Sequence, residues 1–221
     1  MKNTSKNLAD LFSEQHPRSY KKGQIIIRPD DTSNGIFYLE KGHVKSYSLT
    51  EQGEQKNHII YKTGDIFPLI RSFIPTNRSV FFETIDNSTL KMMEKEYFFT
   101  TIKADAQILF EITKKIIEIM KTHIERLDGL EYTKANSRII DYLLFLADHF
   151  GKRKGKKILI EVPITHKDIA DSTAISRETV SREIEELKRK KLIGDKNKYI
   201  LIKNIKKLER ELKLQSDPKR L

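Results

Sequence analysis

The stretch from Ile164 to Ile193 constrains the fold most, because it predicts two helices joined by a tight turn. Thr165 and Asp168 have the spacing of a capping box, in which each side chain accepts a hydrogen bond from the other residue's backbone amide. Ser176 is a typical N-cap for the second helix. Apolar residues spaced four and three apart give that helix one buried face. They are Val180, Ile184 and Leu187.

The second helix also carries polar side chains off its apolar face, near its N-terminus. They are Arg177, Glu178, Ser181 and Arg182. A helix pair whose second helix offers such side chains is typical of proteins that read bases in the major groove of DNA. The alternative is a charged surface helix that merely packs through its Val180 stripe, and the helical pattern alone does not separate the two.

The whole string ITHKDIADSTAISRETVSREIEELKRKKLI resembles the winged helix-turn-helix of the CRP/FNR family of bacterial transcription regulators. Its most specific part is SRETVSR. Two positions depart from the family pattern: Ala174 replaces the usual glycine of the turn, and Glu183 stands where an apolar residue is common. Because an alanine at positive φ is strained, we expect a slightly different turn here.

Composition sets limits on the other properties of the chain. A chain of 221 residues can hold one large or two modest domains. Its net charge of +11 suits a polyanionic partner, although many proteins are basic. The sequence contains no cysteine, which excludes disulfides and a Cys-ligated iron-sulfur cluster. No apolar run approaches about 18 residues and the N-terminal residues lack the apolar core of a signal peptide, so we expect a cytoplasmic protein without membrane contact.

Residues 20–93 have a sequence pattern typical of a β domain, with many short β-branched and aromatic runs separated by turn residues. Such spacing predicts a closed or double-layered β structure. The order of its motifs resembles the cyclic-nucleotide-binding-type β-roll of the same family. These motifs include Lys22-Gly23-Gln24-Ile25, Gly35-Ile36-Phe37-Tyr38-Leu39 and Gly64-Asp65.

The family's cyclic-nucleotide site is only partly present in this sequence. By resemblance, Arg78 and Ser79 occupy the positions of an Arg-Ser pair whose arginine holds the phosphate. The Gly-Glu pair that supplies an amide and a carboxylate is replaced by Pro68-Leu69, and proline has no amide hydrogen. The base-contacting Thr-Ser pair is replaced by His123-Ile124. We therefore expect Arg78 to be a surface or strand-end residue rather than a nucleotide clamp, and the pocket either to be empty or to hold an effector other than cyclic AMP.

Residues 97–130 are predicted to be helical and to carry two apolar stripes. The first repeats four-three over about four heptads and consists of Ile102, Ala106, Leu109, Thr113, Ile116, Met120, His123, Leu127 and Leu130. The second consists of Ile108, Ile112 and Ile119. One stripe can cover the β-roll while the other meets a second helix. In the family this helix forms the dimer coiled coil; burial within one subunit is the alternative.

The predicted fold class is α+β: a double-stranded, jelly-roll-like β-roll over residues 1–96, a dimerisation helix over 97–130, and a winged helix-turn-helix domain over 131–221. Within the last, residues 151–157 form a basic loop that either touches phosphate or is simply solvated. A hinge is expected at Asp128-Gly129. The six histidines are scattered singly, so we predict no metal site.

The resemblance implies a homodimeric transcription regulator that binds double-stranded DNA, with RNA polymerase as a further partner. Arg182 and Glu178 are expected to read the guanine and cytosine of one base pair within a TGA-core half-site of an inverted repeat. Arg177 and Ser181 then set the preceding base. Residues expected on phosphates are Thr165, His166 and Ser176. A small-molecule sensor or interaction protein with an incidental basic helix is the alternative; no pattern indicates an enzyme.

Overall fold

The computed structural model describes residues 7–31, 35–74 and 79–216. The chain divides into two compact units, Met1–Lys121 and Thr122–Leu221. No helix within the described ranges is both long and apolar enough to cross a membrane.

The first unit is a β-roll made of two four-stranded antiparallel sheets. One sheet has the order β1-β8-β3-β6, and the other has the order β2-β7-β4-β5. Its strands are β1 Arg18–Tyr20, β2 Ile25–Ile27, β3 Gly35–Lys41, β4 His43–Leu49, β5 Gln55–Lys62, β6 Ile66–Phe67, β7 Phe81–Thr84 and β8 Ser88–Glu94. The double-layered β domain predicted from the spacing of turns is thus confirmed.

Aromatic side chains from both sheets fill the interior of the roll. Phe67 lies 5.2 Å from Phe82 and 5.7 Å from Phe37, measured between ring centroids, and both pairs are stacked. Tyr61 packs against the same cluster, 5.0 Å from Phe67, and its burial raises the pKa of the phenol well above the ordinary value. Offset aromatic pairs of this kind add about 0.5–1.5 kcal/mol each beyond their buried area.

Helices cover the outer face of the first sheet. They are α1 Leu8–Leu11, α2 Leu69–Phe73, α3 Lys95–Ala104 and the first part of α4 Ala106–Leu130. Ile108 and Ile112 of α4 are almost completely buried, in one cluster with Ile36 and Met93 of the sheet. The predicted second stripe therefore packs on the β-roll.

The helical region predicted over residues 97–130 is interrupted at Asp105. This residue is extended, with φ −129° and ψ 100°, and its carboxylate accepts from the backbone amide of Gln107 at 3.0 Å. An aspartate that caps new amides in this way ends one helix and begins the next. The placement of Ile102 on the dimerisation seam was wrong, because this residue belongs to α3 and is 2% exposed in the core.

Gly42 links β3 to β4 at a point where no larger residue fits. Its φ is +95°, and a Cβ there would lie 2.4 Å from Ser88 Oγ. Only glycine adopts such a backbone without strain. The tight link therefore requires glycine at the point where the chain passes from one sheet to the other.

The second unit combines helices with one four-stranded sheet of order β11-β12-β10-β9. Its elements are α5 Ala135–Phe150, β9 Gly151–Lys154, β10 Lys157–Ile160, α6 His166–Thr173, α7 Arg177–Arg189, β11 Ile193–Lys196, β12 Tyr199–Ile202 and α8 Ile205–Ser216. The apolar face of α5, including Ile139, Ile140 and Leu143, is fully buried. With α6, α7 and the β11–β12 hairpin, the predicted winged helix-turn-helix is present.

Candidate nucleic-acid interface

The first helix of the pair begins with the predicted capping box. Thr165 Oγ1 accepts from the Asp168 amide at 3.2 Å, and the Asp168 carboxylate accepts from the Thr165 amide at 3.0 Å. The Thr165 hydroxyl in turn donates to Asp168 at 2.6 Å. Because this hydroxyl hydrogen is already used, a phosphate at this helix end would meet the outward-pointing amides of the first turn.

The turn between the two helices passes through Ala174 in a left-handed conformation, with φ 54° and ψ 46°. We expected Ala174 to change the turn slightly. The structure shows that this alanine adopts the left-handed conformation, in which a residue with a Cβ is strained. Ser176 then caps α7: its Oγ accepts from the Thr179 amide at 3.2 Å and donates to Thr179 Oγ1 at 3.1 Å. Both helices of the pair therefore start where the sequence predicts.

The second helix is anchored by its apolar face. Val180, Ile184 and Leu187 are at most 1% exposed. Its predicted reading residues lie elsewhere on the surface: Arg177, Glu178 and Arg182 are exposed, whereas Ser181 is half-buried. Arg182 Nε is 3.5 Å from Glu183 Oε1, and the arginine side chain remains 71% exposed. Such an exposed pair contributes little and is easily exchanged for another partner.

Ser181 contacts the first helix of the pair. His166 Nδ1 lies 2.9 Å from Ser181 Oγ, so these two residues, both predicted to contact DNA, also contact each other. This contact joins the first turn of α6 to α7. No sequence pattern indicated it, because the two residues are 15 positions apart.

A contact with α5 accounts for Glu183, which stands where an apolar residue is common in the family. Its Oε2 accepts a hydrogen bond from Asn136 Nδ2 at 2.8 Å, and its side chain is 20% exposed. A charged acceptor makes this bond stronger than one between neutral groups. The position that is often apolar in the family is thus used here to hold α7 on α5.

The β11–β12 hairpin, which forms the wing, is tied to the end of α7. Lys188 Nζ lies 2.7 Å from Asp195 on β11 and 2.9 Å from Glu185 on α7. Burial alone would lower the pKa of Lys188, but these two carboxylates raise it. The wing is therefore fixed relative to the second helix of the pair.

Two family models match separate segments that together cover most of the chain. One is described as a Crp-like helix-turn-helix domain and matches residues 137–211. The other is described as a cyclic nucleotide-binding domain and matches residues 17–105. The chain belongs to the CRP/FNR family of transcription regulators. Proteins of this family are regulators rather than enzymes.

Individual relatives agree with this membership over nearly the whole length. Electron transport regulator A of Shewanella oneidensis is 25% identical, over 88% of this chain and 77% of that protein. A CRP-like cAMP-activated global transcriptional regulator of Mycobacterium tuberculosis is 22% identical, over 92% and 91%. The crystal structure of a CRP-family regulator from Thermus thermophilus superposes with a TM-score of 0.73 at 24% identity, covering 89% and 96% of the two chains. This structure shares the fold.

In this CRP/FNR chain, the end of α4 is linked to the helix-turn-helix by Arg126. Its guanidinium donates to the Ser172 carbonyl at 3.0 Å and lies over the Tyr142 ring, 5.8 Å from the centroid. Burial lowers the pKa of Arg126, although the group remains protonated at neutral pH. The sequence did not indicate this contact, because a single arginine on a helix does not show which residue it will meet.

The structure describes only part of the predicted effector site. Arg78 lies outside the described residues, and Ser79 is exposed. Pro68 stands at the N-terminus of α2, and the Leu69 side chain is 4% exposed in the apolar cluster beneath the helices. The Pro68-Leu69 position thus supplies apolar packing where the family pattern places an amide and a carboxylate.

An exposed apolar face runs along α4. It includes predicted seam residues: Leu109 is 45% exposed, Ile116 42%, Met120 57% and Leu127 64%. His123 differs from them because it is half-buried, and burial and the nearby Arg126 lower its pKa. Three further apolar residues of α4, which neither predicted stripe includes, are also exposed. They are Phe110, Ile117 and Ile124.

Among the described residues, no three His, Asp or Glu side chains are grouped so that they could hold a metal ion. A groove of about 280 Å³ lies beside α1, α3 and the start of α4 and is lined in part by Asp10, Glu14 and Tyr97.

Proposed function

We propose that the protein is a homodimeric, sequence-specific transcription regulator that binds an inverted-repeat DNA site. The observation that carries this proposal is α7, whose apolar face is buried while Arg177, Glu178 and Arg182 stay exposed beside its capped N-terminus. An anchored helix with outward arginine and glutamate side chains suits the major groove. Family membership supports DNA as the partner, and RNA polymerase is the expected protein partner.

Within each half-site, Arg182 and Glu178 read one G·C base pair. They are four residues apart and therefore lie on adjacent turns of one helix face. Arginine donates two hydrogen bonds to the acceptors of guanine, and a carboxylate accepts from the amino group of cytosine. By family resemblance this pair belongs to a TGA core. Arg177 and Ser181 set the base before it.

Phosphate contacts hold the helix pair in register. His166 lies at the start of α6, Thr165 caps that helix, and Ser176 caps α7. Because both hydroxyls donate within the protein, the helix amides and the His166 ring are the donors we expect to face phosphate. Contacts of this kind position a protein on DNA without reading sequence.

Two copies of the chain associate through the exposed face of α4. Apolar side chains continue along this helix of 25 residues, which is about 37 Å long at 1.5 Å per residue. Their spacing fits a heptad seam, and an apolar face of this extent is rarely left open to water. Two symmetric copies explain an inverted-repeat site.

The proposed dimer is tested by substituting exposed residues of the α4 face, which leaves the buried core of the protein unchanged. Ile116→Glu combined with Met120→Glu should give monomers and lose most DNA affinity, because each half-site is then bound alone. Leu214→Glu on α8, another exposed apolar residue at 44%, is the control and should stay dimeric. Mass measured by light scattering decides, and an unchanged dimer mass in the double variant would reject the α4 interface.

We propose further that neither cyclic AMP nor cyclic GMP binds tightly. Pro68 supplies no amide hydrogen and Leu69 no carboxylate, and each missing partner of a buried polar ligand costs on the order of 1–3 kcal/mol. Together these losses amount to about a hundredfold in affinity or more. Calorimetry that shows micromolar binding of either nucleotide would exclude this proposal.

Selection of bound fragments from a random duplex pool tests the function as a whole. We expect an inverted repeat with TGA-core halves whose centres are about 34 Å apart, one helical turn of DNA. A pool that yields no preferred sequence would favour the alternative, a sensor or interaction protein whose basic helix does not read DNA.

A further inference from the structure

A second basic element lies outside the helix-turn-helix, in the hairpin formed by β9 and β10. Residues 151–157 contain five cations and no carboxylate, and every one of these residues is exposed. The cations are Lys152, Arg153, Lys154, Lys156 and Lys157. The structure shows that this segment is an ordered hairpin, with Gly155 at φ +61° in its turn.

The strand register sorts these cations onto two faces. Ile158 and Ile160 are each 1% exposed, so their face of β10 points into the core. Residues directly opposite each other in an antiparallel pair share a face. Lys154 lies opposite Lys157 and Lys152 opposite Leu159, so Lys152, Lys154 and Lys157 share the outer face. We call these three residues the outer lysine row.

The outer lysine row carries a charge repulsion that the protein leaves largely uncompensated. Like charges directly opposite each other destabilise a sheet, and this applies to Lys154 and Lys157. Lys152 has one carboxylate nearby, Glu161 at 3.7 Å, but both side chains are largely exposed and such a pair contributes little. Within the described ranges, no ion pair involves Lys154 or Lys157. A polyanion would relieve this repulsion.

The position of the hairpin in the sheet makes DNA the fitting polyanion. The second helix of the pair leads directly into β11, and β9 is the opposite edge of the same sheet, about 14 Å away at roughly 4.8 Å per strand. Lys152 and Lys154 are two residues apart on one strand, which is about 6.6 Å, and one DNA strand carries a phosphate for every 3.4 Å or so of helix axis, so both lysines can lie along the backbone of one strand.

We infer that the β9–β10 hairpin is a second DNA-binding element, whose outer lysine row binds backbone phosphates beyond those held by the helix-turn-helix. The inference rests on the proposed function, because it takes the DNA bound by α7 as the partner. The hairpin contributes affinity and salt dependence but no sequence preference, since lysine–phosphate contacts are independent of sequence.

The test replaces Lys152, Lys154 and Lys157 together by glutamine. Affinity is measured over a range of salt concentrations on the selected duplex and on a scrambled duplex. Each phosphate contact contributes about 0.9 to the slope of log affinity against log salt, so we expect the slope to fall by roughly 2 to 3 per subunit. Affinity should fall on the order of tenfold to a hundredfold at physiological salt, equally on both duplexes.

A matched variant controls for net charge. Lys21, Lys22 and Lys56 are exposed lysines of the β-roll, and their joint replacement by glutamine removes the same charge from the first unit instead of from the hairpin. If both triple variants keep the wild-type slope, the inference is overturned, and the lysines serve only to protect an edge strand or to meet an acidic protein surface. Failure of the proposed function would look different: the wild-type protein itself would not prefer the selected duplex.

Discussion

His166 Nδ1 and Ser181 Oγ are 2.9 Å apart, which links the start of α6 to α7. A neutral imidazole has one donor and one acceptor nitrogen. If Nδ1 accepts from the Ser181 hydroxyl, Nε2 carries the hydrogen and can donate it to a phosphate. The pair therefore connects a predicted base-reading residue to a predicted phosphate-binding residue.

We expect His166→Ala to weaken DNA binding about equally on all sequences, whereas Ser181→Ala should weaken binding and also relax the preference at the base before the G·C pair. Since each variant removes the same contact, the double variant should lose less than the sum of the two single losses. The coupling should be about 0.5–1.5 kcal/mol, the usual net contribution of one hydrogen bond. Anisotropy titrations complete the double-mutant cycle. Strictly additive losses, or a changed site preference in His166→Ala, would contradict the linked roles.

Ala174→Gly should stabilise the protein. Ala174 has a φ of 54°, and a left-handed backbone costs an ordinary residue about 1–2 kcal/mol. Glycine removes this strain but adds about 0.5–1 kcal/mol of unfolded-state entropy, so the net gain is small, up to about 1 kcal/mol. Thermal unfolding should show a rise of a few degrees. Ala104→Gly in helix α3 is the control and should lower the melting temperature; a lower value for Ala174→Gly would show that the turn is unstrained.

The contact between Asn136 and Glu183 should have a measurable effect on stability. Glu183→Leu restores the apolar residue common in the family, but it leaves the half-buried Asn136 amide without its 2.8 Å partner. We expect a loss of about 1–3 kcal/mol in the free energy of unfolding, with a smaller loss for Glu183→Gln. Urea denaturation measures both. If Glu183→Leu is as stable as the wild type, the contact contributes nothing.

Asp141 predicts a specific pH dependence of stability. Burial, together with the nearby Asp128, raises the pKa of its carboxyl above the ordinary value. Above the unfolded-state pKa the folded protein binds the extra proton, so the free energy of unfolding falls as pH rises through the raised pKa. At neutral pH the ionised carboxylate is therefore a cost.

Asp141→Asn removes this titration. The variant should be more stable than the wild type at pH 7, and its stability should depend less on pH above the ordinary aspartate pKa of 3.8. Urea denaturation between pH 4 and pH 7 provides the comparison. Equal pH dependence in the two proteins would show that the Asp141 carboxyl does not titrate as described.

Local patterns in the sequence predicted much of the second unit correctly. The capping box of Thr165 and Asp168 and the buried face of Val180, Ile184 and Leu187 depend on residues three or four apart. Helical geometry alone brings such residues together. The same spacing groups Ile108 and Ile112 into one stripe, but it does not tell which of the two stripes covers the β-roll; the structure places these two residues there.

Contacts between elements were beyond the reach of the sequence. Arg126 meets the Ser172 carbonyl across 46 positions, and a carbonyl carries no residue-specific signal. The break at Asp105 was missed because the apolar period continues through Ile102, although that residue belongs to a separate helix. The hinge expected at Gly129 falls within α4. A Cβ there would lie 2.2 Å from Asp141 Oδ2, so close approach of α5 accounts for the glycine.

The most direct test of the central claim, that α7 reads a G·C pair with Glu178 and Arg182, compares wild type and Glu178→Ala on every single-base-pair variant of the selected site. We predict that Glu178→Ala loses roughly 1–3 kcal/mol of discrimination at one G·C pair in each half-site and keeps its preference elsewhere. Arg182→Ala should lose both this preference and affinity. If Glu178→Ala retains full discrimination at every position, the assignment is contradicted even if the protein binds DNA.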